Sequence, residues 1–157
     1  MKLIVSYIFR FLVAIKNFLY DTHFLPSLKF NTPIISIGNL MVGGSGKTPI
    51  TIFLAKQYQQ LGKNVVIISR GYKRSSTGMH IVHDGNKIIN DINTSGDEPY
   101  MMAQLLNNIP VLVSEKRKMG IKHAEITFNP DVILLDDAFQ HRQIHKSQNI
   151  ILFDSSA

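Results

Sequence analysis

The sequence predicts an α/β protein with a mainly parallel sheet and helices on both faces of that sheet. Three observations support this fold class. Short apolar runs typical of buried strands alternate with longer segments typical of helices. A glycine-rich stretch joins the first apolar run to a helix start, and a later apolar run ends in two aspartates. Strands connected in this way are expected to run parallel, with right-handed crossovers.

The composition is that of an ordinary globular domain. The chain has 157 residues, enough for one domain with a substantial core, and it is 45% hydrophobic and 18% charged. It has no cysteine, which excludes a disulfide framework and a thiolate metal site. The formal net charge of +6 favours anionic partners such as phosphates or acidic lipid headgroups, unless the basic groups are simply solvated. Those groups lack interleaved aromatic residues apart from Tyr72, so no nucleic-acid partner is expected.

A glycine-rich loop between residues 38 and 48 has the features of a phosphate-binding loop. Ile34–Ile37 predicts a buried strand, and the segment from about Lys47 to Gln60 predicts a helix. Glycines let the loop turn tightly with its N–H groups pointing inward, and the helix start adds positive charge beneath a phosphate. The pattern therefore predicts a P-loop NTPase-like fold with a site for ATP. The expected nucleotide-binding residues are Met41, Val42, Gly43, Gly44, Ser45, Gly46, Lys47 and Thr48.

Two residues of this loop have specific expected roles. Lys47 can reach the β- and γ-phosphates of ATP, and the Thr48 hydroxyl can bind the accompanying Mg²⁺. Met41 departs from the strict motif, which has a glycine at that position. The alternative is a glycine-rich turn without a ligand, but the flanking strand and helix both lie where a phosphate loop needs them.

The segments after the loop complete the predicted alternation of strands and helices. A compact apolar run at 64–69 is typical of a central parallel strand. Asp84-Gly85-Asn86 lies between two short strands and predicts a small hairpin outside the main sheet. Gly120 weakens the prediction of a helix around it. The predicted strands are 64–69, 79–82, 87–90, 111–113, 131–137 and 149–153, and the predicted helices are 100–107 and 116–128.

Asp136 and Asp137 end the strongest apolar run of the sequence. An aspartate at such a strand end can hold Mg²⁺, directly or through water, close to the threonine of a phosphate loop. The alternative is a strand-end turn or a helix cap. His141 follows shortly afterwards and could orient a substrate, although a lone histidine is more often structural.

Asp97 lies in the sequence Gly96-Asp97-Glu98-Pro99, just before a predicted helix. Its spacing from Pro99 suits a helix N-cap. The spacing suits a catalytic carboxylate equally well, so the residue pattern alone leaves both roles open.

Residues 1–25 are rich in apolar and aromatic residues but are interrupted by Arg10 and Lys16. A membrane-spanning helix needs about 20 largely uncharged residues, and a secretory signal needs a small-residue cleavage site, so neither is predicted. On a helix the polar residues fall in one arc of roughly 140°, which predicts a helix lying in the membrane interface. The alternative is a helix docked on the protein's own core or on a second lobe. The polar residues are Lys2, Ser6, Arg10, Lys16, Asn17 and Asp21.

We therefore expect two regions. Residues 1–28 form the membrane-associated helix and its connection, and residues 29–157 form the P-loop nucleotide-binding domain. Pro26 and Pro33 mark the connection between them.

The chain resembles the tetraacyldisaccharide 4′-kinase family of lipid A biosynthesis. Four motifs carry this resemblance and occur in the same order: the loop 38–49, Ser69-Arg70-Gly71-Tyr72, residues 96–99, and residues 134–141. Lys73 and Ala138 stand where many family members have glycine.

The resemblance implies transfer of the ATP γ-phosphate to the 4′-hydroxyl of a tetraacyldisaccharide 1-phosphate, a glycolipid substrate. It implies a peripheral or monotopic location at the cytoplasmic face of the inner membrane. Family members are about twice as long, and their second lobe carries a histidine that pairs with the aspartate at position 97. The chain is therefore expected to be an N-terminal part. The implied catalytic residues are Asp97, Lys47 and His141, and the implied Mg²⁺ ligands are Thr48, Asp136 and Asp137.

Two other functions stay open from the sequence. One is a deviant P-loop regulatory ATPase, but that class often carries an extra lysine where this chain has Val42. The other is a non-catalytic, membrane-bound nucleotide-binding fragment. Acyl-chain preference, nucleotide specificity and oligomeric state are not predicted.

Overall fold

A computed structural model of the chain describes residues 10, 13–20, 22, 24–39 and 46–153. Six strands and four helices lie in the described residues 34–39 and 46–152. The strands are β1 (Ile34–Asn39), β2 (Val65–Ser69), β3 (Met79–His83), β4 (Val111–Ser114), β5 (Val132–Asp136) and β6 (Gln148–Leu152). The helices are α1 (Lys47–Gln60), α2 (Ile92–Ser95), α3 (Asp97–Leu105) and α4 (Arg117–Phe128).

The strands form one sheet in the order β3-β4-β2-β5-β1-β6. Every pairing is parallel except that of β3 with β4. β5 lies between β1 and β2, so that Ile133 pairs with Ile34 on one side and with Val66 on the other. This arrangement confirms the predicted α/β class. It also brings the ends of β1, β5 and β2 side by side at one edge of the sheet.

Alternate residues of the central strands build two separate cores. On one face of the sheet, Ile37, Ile67 and Leu134 pack with Ala55 of α1 and Met102 of α3. Successive side chains of a strand point to opposite faces, so each strand contributes to both cores. The helices therefore cover both faces, as predicted. The second core contains Val66, Ile68, Leu135 and, from α4, Ile121 and Ala124.

Gly120 allows α4 to approach the sheet closely. A Cβ atom at this position would lie 3.1 Å from Ile68 Cγ2 and 3.2 Å from Ser114 Cβ. Gly120, which weakens the helix prediction, lies inside α4. A larger side chain at this position would push the helix away from β2 and β4.

Three local predictions differ from the structure. β3 was predicted in a hairpin outside the main sheet, but it is an edge strand of that sheet, and the second arm of the hairpin contributes only an isolated bridge from His83 to Ile88. α3 begins three residues before the predicted start because Pro99 in a first helical turn removes only an N–H that would be unpaired anyway. The short α2, which Asp91 caps through Thr94 N–H, was not predicted.

The N-terminal helix is described only in part. Residues 13–20 are helical, and Tyr20 is buried beneath the Arg142 guanidinium, which lies 5.5 Å from its ring. Val13 and Phe18 are exposed on the same segment. The rest of the predicted helix over 1–25 lies largely outside the described residues. Among the helices that are described, none is both long and apolar enough to span a membrane.

Candidate active site

The end of β1 and the end of β5 place Lys47 beside the strand-end acids. Lys47 is the first residue of α1, and its Nζ lies 3.6 Å from Asp137 Oδ1. The same Nζ donates to Asn39 Oδ1 at 3.0 Å. Asp137 has a φ of 51°, in the left-handed region that asparagine and aspartate tolerate better than most residues. Its side chain is 59% exposed, so Asp137 faces the open side of the site.

Asp136 is the buried member of the acid pair. Its Oδ1 lies 3.3 Å from the Thr51 hydroxyl and its Oδ2 accepts from the Ser69 hydroxyl at 3.3 Å. Burial, together with the charges of Glu98 and Asp137, raises the pKa of Asp136 to about 6, although the hydrogen bonds from Ser69 and Thr51 oppose this. A cation bound here would stabilise the ionised carboxylate and so lower the pKa of Asp136 again.

The Arg117 side chain links the end of β4 to the end of β5. Its guanidinium is buried and donates to the carbonyl oxygens of Ser114 at 2.6 Å and Asp136 at 3.0 Å. Burial lowers the pKa of Arg117 to about 10, although the nearby acids Asp136 and Asp137 oppose this. Arg117 is therefore charged at neutral pH and fixes the ends of β4 and β5 relative to each other.

The turn after β5 is packed against β1. Ala138 N–H donates to Ile37 C=O at 3.3 Å, and a Cβ atom at Gly38 would lie 2.6 Å from Phe139 Cβ. Lys146 Nζ donates to the carbonyl oxygens of Ala138 at 2.7 Å and Phe139 at 2.8 Å. These contacts hold the backbone that carries the two acids. Ala138 is fully buried in this turn.

Asp97 begins α3 at the same edge of the sheet, and its backbone is set by a glycine contact. A Cβ atom at Gly96 would lie 3.0 Å from Tyr72 C=O, and one at Gly71 would lie 2.9 Å from Ser95 C=O. Both glycines have positive φ, at 88° and 71°. The motifs at 69–72 and 96–99 are therefore in direct backbone contact. Asp97 itself is exposed.

His141 lies in a basic cleft of about 520 Å³ between the start of α4 and residues 140–144. Burial lowers the pKa of His141, and the charges of Arg117 and Lys146 lower it further. The imidazole is therefore neutral at pH 7. The basic side chains lining this cleft are Lys16, Lys116, Arg117, Lys118 and Arg142.

Part of the predicted phosphate loop, Met41–Ser45, lies outside the described residues. Gly46 has a φ of 74° and precedes α1, and its carbonyl accepts from Ile50 N–H at 3.2 Å. Thr48 is buried in the first turn of α1. The structure thus brings Lys47, Asp136 and Asp137 together and places Thr48 beside them in the chain.

Four residues of the site were not predicted from the sequence: Asn39, Thr51, Ser69 and Arg117. Thr51 lies one helical turn after Lys47, so the predicted helix gave a signal for it. Ser69 ends β2, which is adjacent to β5, and strand ends of a parallel sheet meet at one edge.

The donor set suits Mg²⁺. Mg²⁺ in kinase sites is held by one or two carboxylates together with substrate phosphates and water, rather than by a complete protein cage. Asp136 and Asp137 are the two carboxylates at this position, and burial together with the charges of Glu98 and Asp137 raises the pKa of Asp136, so a bound cation would stabilise its ionised form. Among the residues the structure describes, no group of three His, Cys, Asp or Glu side chains is placed to hold a metal ion.

The fold and the site together define an α/β protein in which a lysine–threonine helix start faces the acidic end of a central strand. The family model for LpxK, tetraacyldisaccharide-1-P 4′-kinase, matches residues 2–157. The chain belongs to this family.

Individual relatives and a solved structure agree with this assignment. The chain is 44% identical to the tetraacyldisaccharide 4′-kinase of Pelodictyon phaeoclathratiforme over 151 residues, which cover 94% of this chain and 42% of the relative. It is 44% identical to that of Aquifex aeolicus over 147 residues, covering 94% of this chain and 46% of the relative. The fold is similar to the crystal structure of LpxK from Aquifex aeolicus in complex with ATP, with a TM-score of 0.90 and 43% identity, covering 98% of this chain and 48% of that chain. The chain thus spans about half the length of the relatives it matches.

Proposed function

We propose that this chain forms the nucleotide-binding part of a kinase that phosphorylates the 4′-hydroxyl of a tetraacyldisaccharide 1-phosphate glycolipid in lipid A biosynthesis. The observation that carries the proposal is the position of Lys47, 3.6 Å from Asp137 at the carboxyl end of the sheet. Open α/β sheets bind ligands at this edge. Family membership supports the choice of acceptor, and the related Aquifex aeolicus structure supports ATP as the donor.

Lys47 is the residue that holds the β- and γ-phosphates. Its side chain is 19% exposed and its Nζ already faces an anionic group, so a phosphate can replace that group without a new side-chain position. The positive end of the 14-residue α1 adds to the phosphate site.

Thr48, Asp136 and Asp137 are the proposed ligands of Mg²⁺. The ion, when bound, neutralises negative charge on the phosphate oxygens. Asp137 is exposed and can contact it directly. Asp136 is oriented from behind by the hydroxyls of Thr51 and Ser69, so its carboxylate position is set before any ligand enters.

Asp97 is the proposed proton acceptor. The 4′-oxygen bonds to the γ-phosphorus while the bond from that phosphorus to the bridging oxygen breaks, and ADP leaves with the electron pair. The hydroxyl proton passes to the Asp97 carboxylate. Because the transition state is loose, positioning and charge neutralisation contribute more than base strength. His141, neutral at pH 7, orients the sugar by donating one hydrogen bond and accepting another.

The N-terminal helix is proposed to hold the enzyme at the cytoplasmic face of the inner membrane. Phe18 and Phe24 are 65% and 78% exposed, and Lys16 lies on the same segment. Aromatic groups next to cations suit the boundary between acyl chains and anionic headgroups. Tyr20 and Arg142 supply a contact by which the helix also docks on the domain, so the two predicted roles for this helix are compatible. The division into regions 1–28 and 29–157 stays a prediction.

Nucleotide binding is tested on residues 1–157 by calorimetric titration with Mg·ATP. Lys47→Ala should weaken binding by about tenfold to a hundredfold, the value of a hydrogen bond to a charged group. Lys56→Ala, on the exposed side of the same helix, is the matched control and should bind as the unchanged chain does. Equal affinities for all three proteins would overturn the phosphate-loop assignment.

Phosphoryl transfer is tested in the protein at the length of its relatives, called the full-length kinase below. Labelled ATP and a tetraacyldisaccharide 1-phosphate are the substrates. Label should appear on the glycolipid in the unchanged enzyme, and Asp97→Asn should reduce transfer to a small residual rate while Mg·ATP still binds. ATP hydrolysis without labelled glycolipid would instead support the regulatory ATPase.

A further inference from the structure

The loop of residues 70–78 connects β2 to β3 and lies across α2. Ser75 N–H donates to Asn93 C=O at 2.9 Å, and the Ser76 hydroxyl donates to Thr94 C=O at 2.6 Å. The 70–78 loop is thus attached to the helix that comes directly before α3. The loop and the start of α3 are therefore connected through α2.

Arg74 fixes the 70–78 loop to the end of β4. Its side chain is 2% exposed, and its Nη2 donates to Glu115 Oε1 and to Gly78 C=O. Glu115 Oε2 in turn accepts from Gly78 N–H at 3.0 Å. The Arg74 Cδ lies only 2.6 Å from the position of a Cβ atom at Gly71, so the side chain covers the glycine that contacts Gly96.

Stability does not explain this arrangement of Arg74. Its Nε and Nη1 are buried and have no acceptor in the part of the chain that the structure describes. A buried guanidinium with unsatisfied donors costs free energy, and an apolar residue of similar shape is often at least as stable there. A residue that breaks a local rule of stability while fixing geometry is expected near a functional site.

We propose that Arg74 is a positioning residue for phosphoryl transfer. It holds Gly71 and Tyr72 against Gly96, and Gly96 sets the backbone from which Asp97 projects. This inference rests on the proposed function, in which Asp97 receives the proton of the acceptor hydroxyl. Arg74 therefore acts through Asp97 and not on the nucleotide.

A double-mutant cycle in the full-length kinase tests this coupling. Arg74→Gln should lower kcat at least tenfold while the KM for ATP stays unchanged, and Arg74→Lys should restore part of the rate. In an enzyme that already carries Asp97→Asn, the same Arg74→Gln change should have no further effect on kcat, because the group that it positions has been removed. Lys122→Gln, an equal charge change on the exposed side of α4, is the control and should behave as the unchanged enzyme.

Independent effects would overturn the inference. If Arg74→Gln lowers kcat by the same factor with and without Asp97, Arg74 does not act through that carboxylate. An altered KM for ATP with unchanged kcat would overturn it as well. Failure of the proposed function is distinguishable, because it would show as absence of labelled glycolipid in the unchanged enzyme.

Glu115→Gln provides a second approach if Arg74→Gln does not fold. Glu115 is 41% exposed, so the change removes its charge without opening the core. The hydrogen bond from Arg74 lowers the pKa of Glu115 despite its burial, so the carboxylate is charged at neutral pH. Glu115→Gln should also lower kcat only when Asp97 is present. A rate equal to that of the unchanged enzyme would contradict the positioning role.

Discussion

The Nζ atom of Lys47 is held between two oxygen atoms, Asn39 Oδ1 at 3.0 Å and Asp137 Oδ1 at 3.6 Å. Lys47 follows β1 and Asp137 follows β5, which pair with each other in the sheet. The ion pair therefore occupies the place where a nucleotide phosphate is proposed to bind, and binding exchanges one anionic partner of Lys47 for another.

The first prediction concerns Asp137→Asn. Without Mg²⁺, the variant should bind ATP about fivefold more tightly, because one negative charge about 4 Å away in a water-exposed site costs about 1 kcal/mol. With Mg²⁺, it should bind more weakly than the unchanged chain, because a proposed metal ligand is lost. Calorimetric titration of residues 1–157 with ATP, in EDTA and in Mg²⁺, measures both signs.

Asp131→Asn is the matched control for this comparison. Asp131 precedes the same strand, β5, at the opposite edge of the sheet. It changes the net charge equally and should leave both affinities unchanged. A loss of affinity for Asp137→Asn both with and without Mg²⁺ would contradict the prediction. It would show that Asp137 supports the structure of the site and does not compete with the nucleotide phosphates for Lys47.

The second prediction concerns the pH dependence of stability. Burial, and then the charges of Glu98 and Asp137, raise the pKa of Asp136 from 3.8 to about 6. The unfolded chain loses this proton near pH 4 and the folded chain near pH 6. The free energy of unfolding should therefore fall as the pH rises through this window, by on the order of 2–3 kcal/mol.

Urea denaturation of the unchanged chain and of Asp136→Asn, from about pH 4 to about pH 7, measures this contribution. The variant should lack the fall. The carboxylates of Asp84, Asp91 and Glu115 have lowered pKa values, so they act at lower pH and with the opposite sign. Parallel pH profiles for the two proteins would mean that Asp136 does not titrate in this window.

The third prediction concerns the contact between β1 and the turn after β5. In Gly38→Ala the new Cβ would lie 2.6 Å from Phe139 Cβ, so the turn must move, at a cost of about 1–3 kcal/mol in the free energy of unfolding. Because this turn carries Asp137, Mg²⁺-dependent ATP binding should weaken too. Chemical denaturation and calorimetry test the two effects.

Ser36→Ala, on the same strand, is the control with the opposite expected sign. The Ser36 hydroxyl is buried and has no hydrogen-bond partner among the residues the structure describes. Its removal should leave the stability unchanged or raise it by up to about 1 kcal/mol. If both variants are equally destabilised, β1 does not tolerate substitution in general, and the contact with Phe139 does not explain the loss of stability in Gly38→Ala.

The fourth prediction concerns the membrane. Replacing Phe18 and Phe24 by serine should weaken binding to vesicles of phosphatidylglycerol by about a hundredfold or more, since each phenyl group buried in lipid contributes about 1.5–3 kcal/mol. Raised salt should weaken binding of the unchanged chain. Phe53→Ser, at an exposed phenylalanine on α1, should have no effect. Unchanged vesicle binding by the double variant would favour a helix that only docks on the domain.

The central strands could be predicted because each is an uninterrupted apolar run. Their order could not, since strands buried on both faces carry no alternation that distinguishes one neighbour from another. For β3, too, the local signal could be recognised but the pairing partner could not. The turn signal at 84–86 is local and was visible, whereas the pairing of β3 with β4 joins segments about 30 residues apart.

The residues of the candidate site show the same difference between local patterns and long-range contacts. Lys47 and the two acids could be predicted because their patterns are contiguous. The role of Thr51 depends on a contact with Asp136, 85 residues later in the chain, and that of Arg117 on a carbonyl 19 residues away. Such contacts exist only once β5 has joined the sheet. Helical spacing places Thr51 on the same face of α1 as Lys47, but it does not indicate the contact with Asp136.

The insertion of β5 between β1 and β2 has a consequence for the order of folding. In the sheet that the described residues form, β1 pairs with β5 and β6, and the partners Ile34 and Ile133 are about a hundred residues apart. During synthesis β1 therefore stays unpaired until β5 has been made, whereas β2 and β4 can already pair with each other. Closing so long a loop is slow compared with forming local contacts. Since Asp136 and Asp137 arrive with β5, we expect the nucleotide site to form in the same step that closes the sheet. Binding of ATP during refolding would then report the completion of the fold.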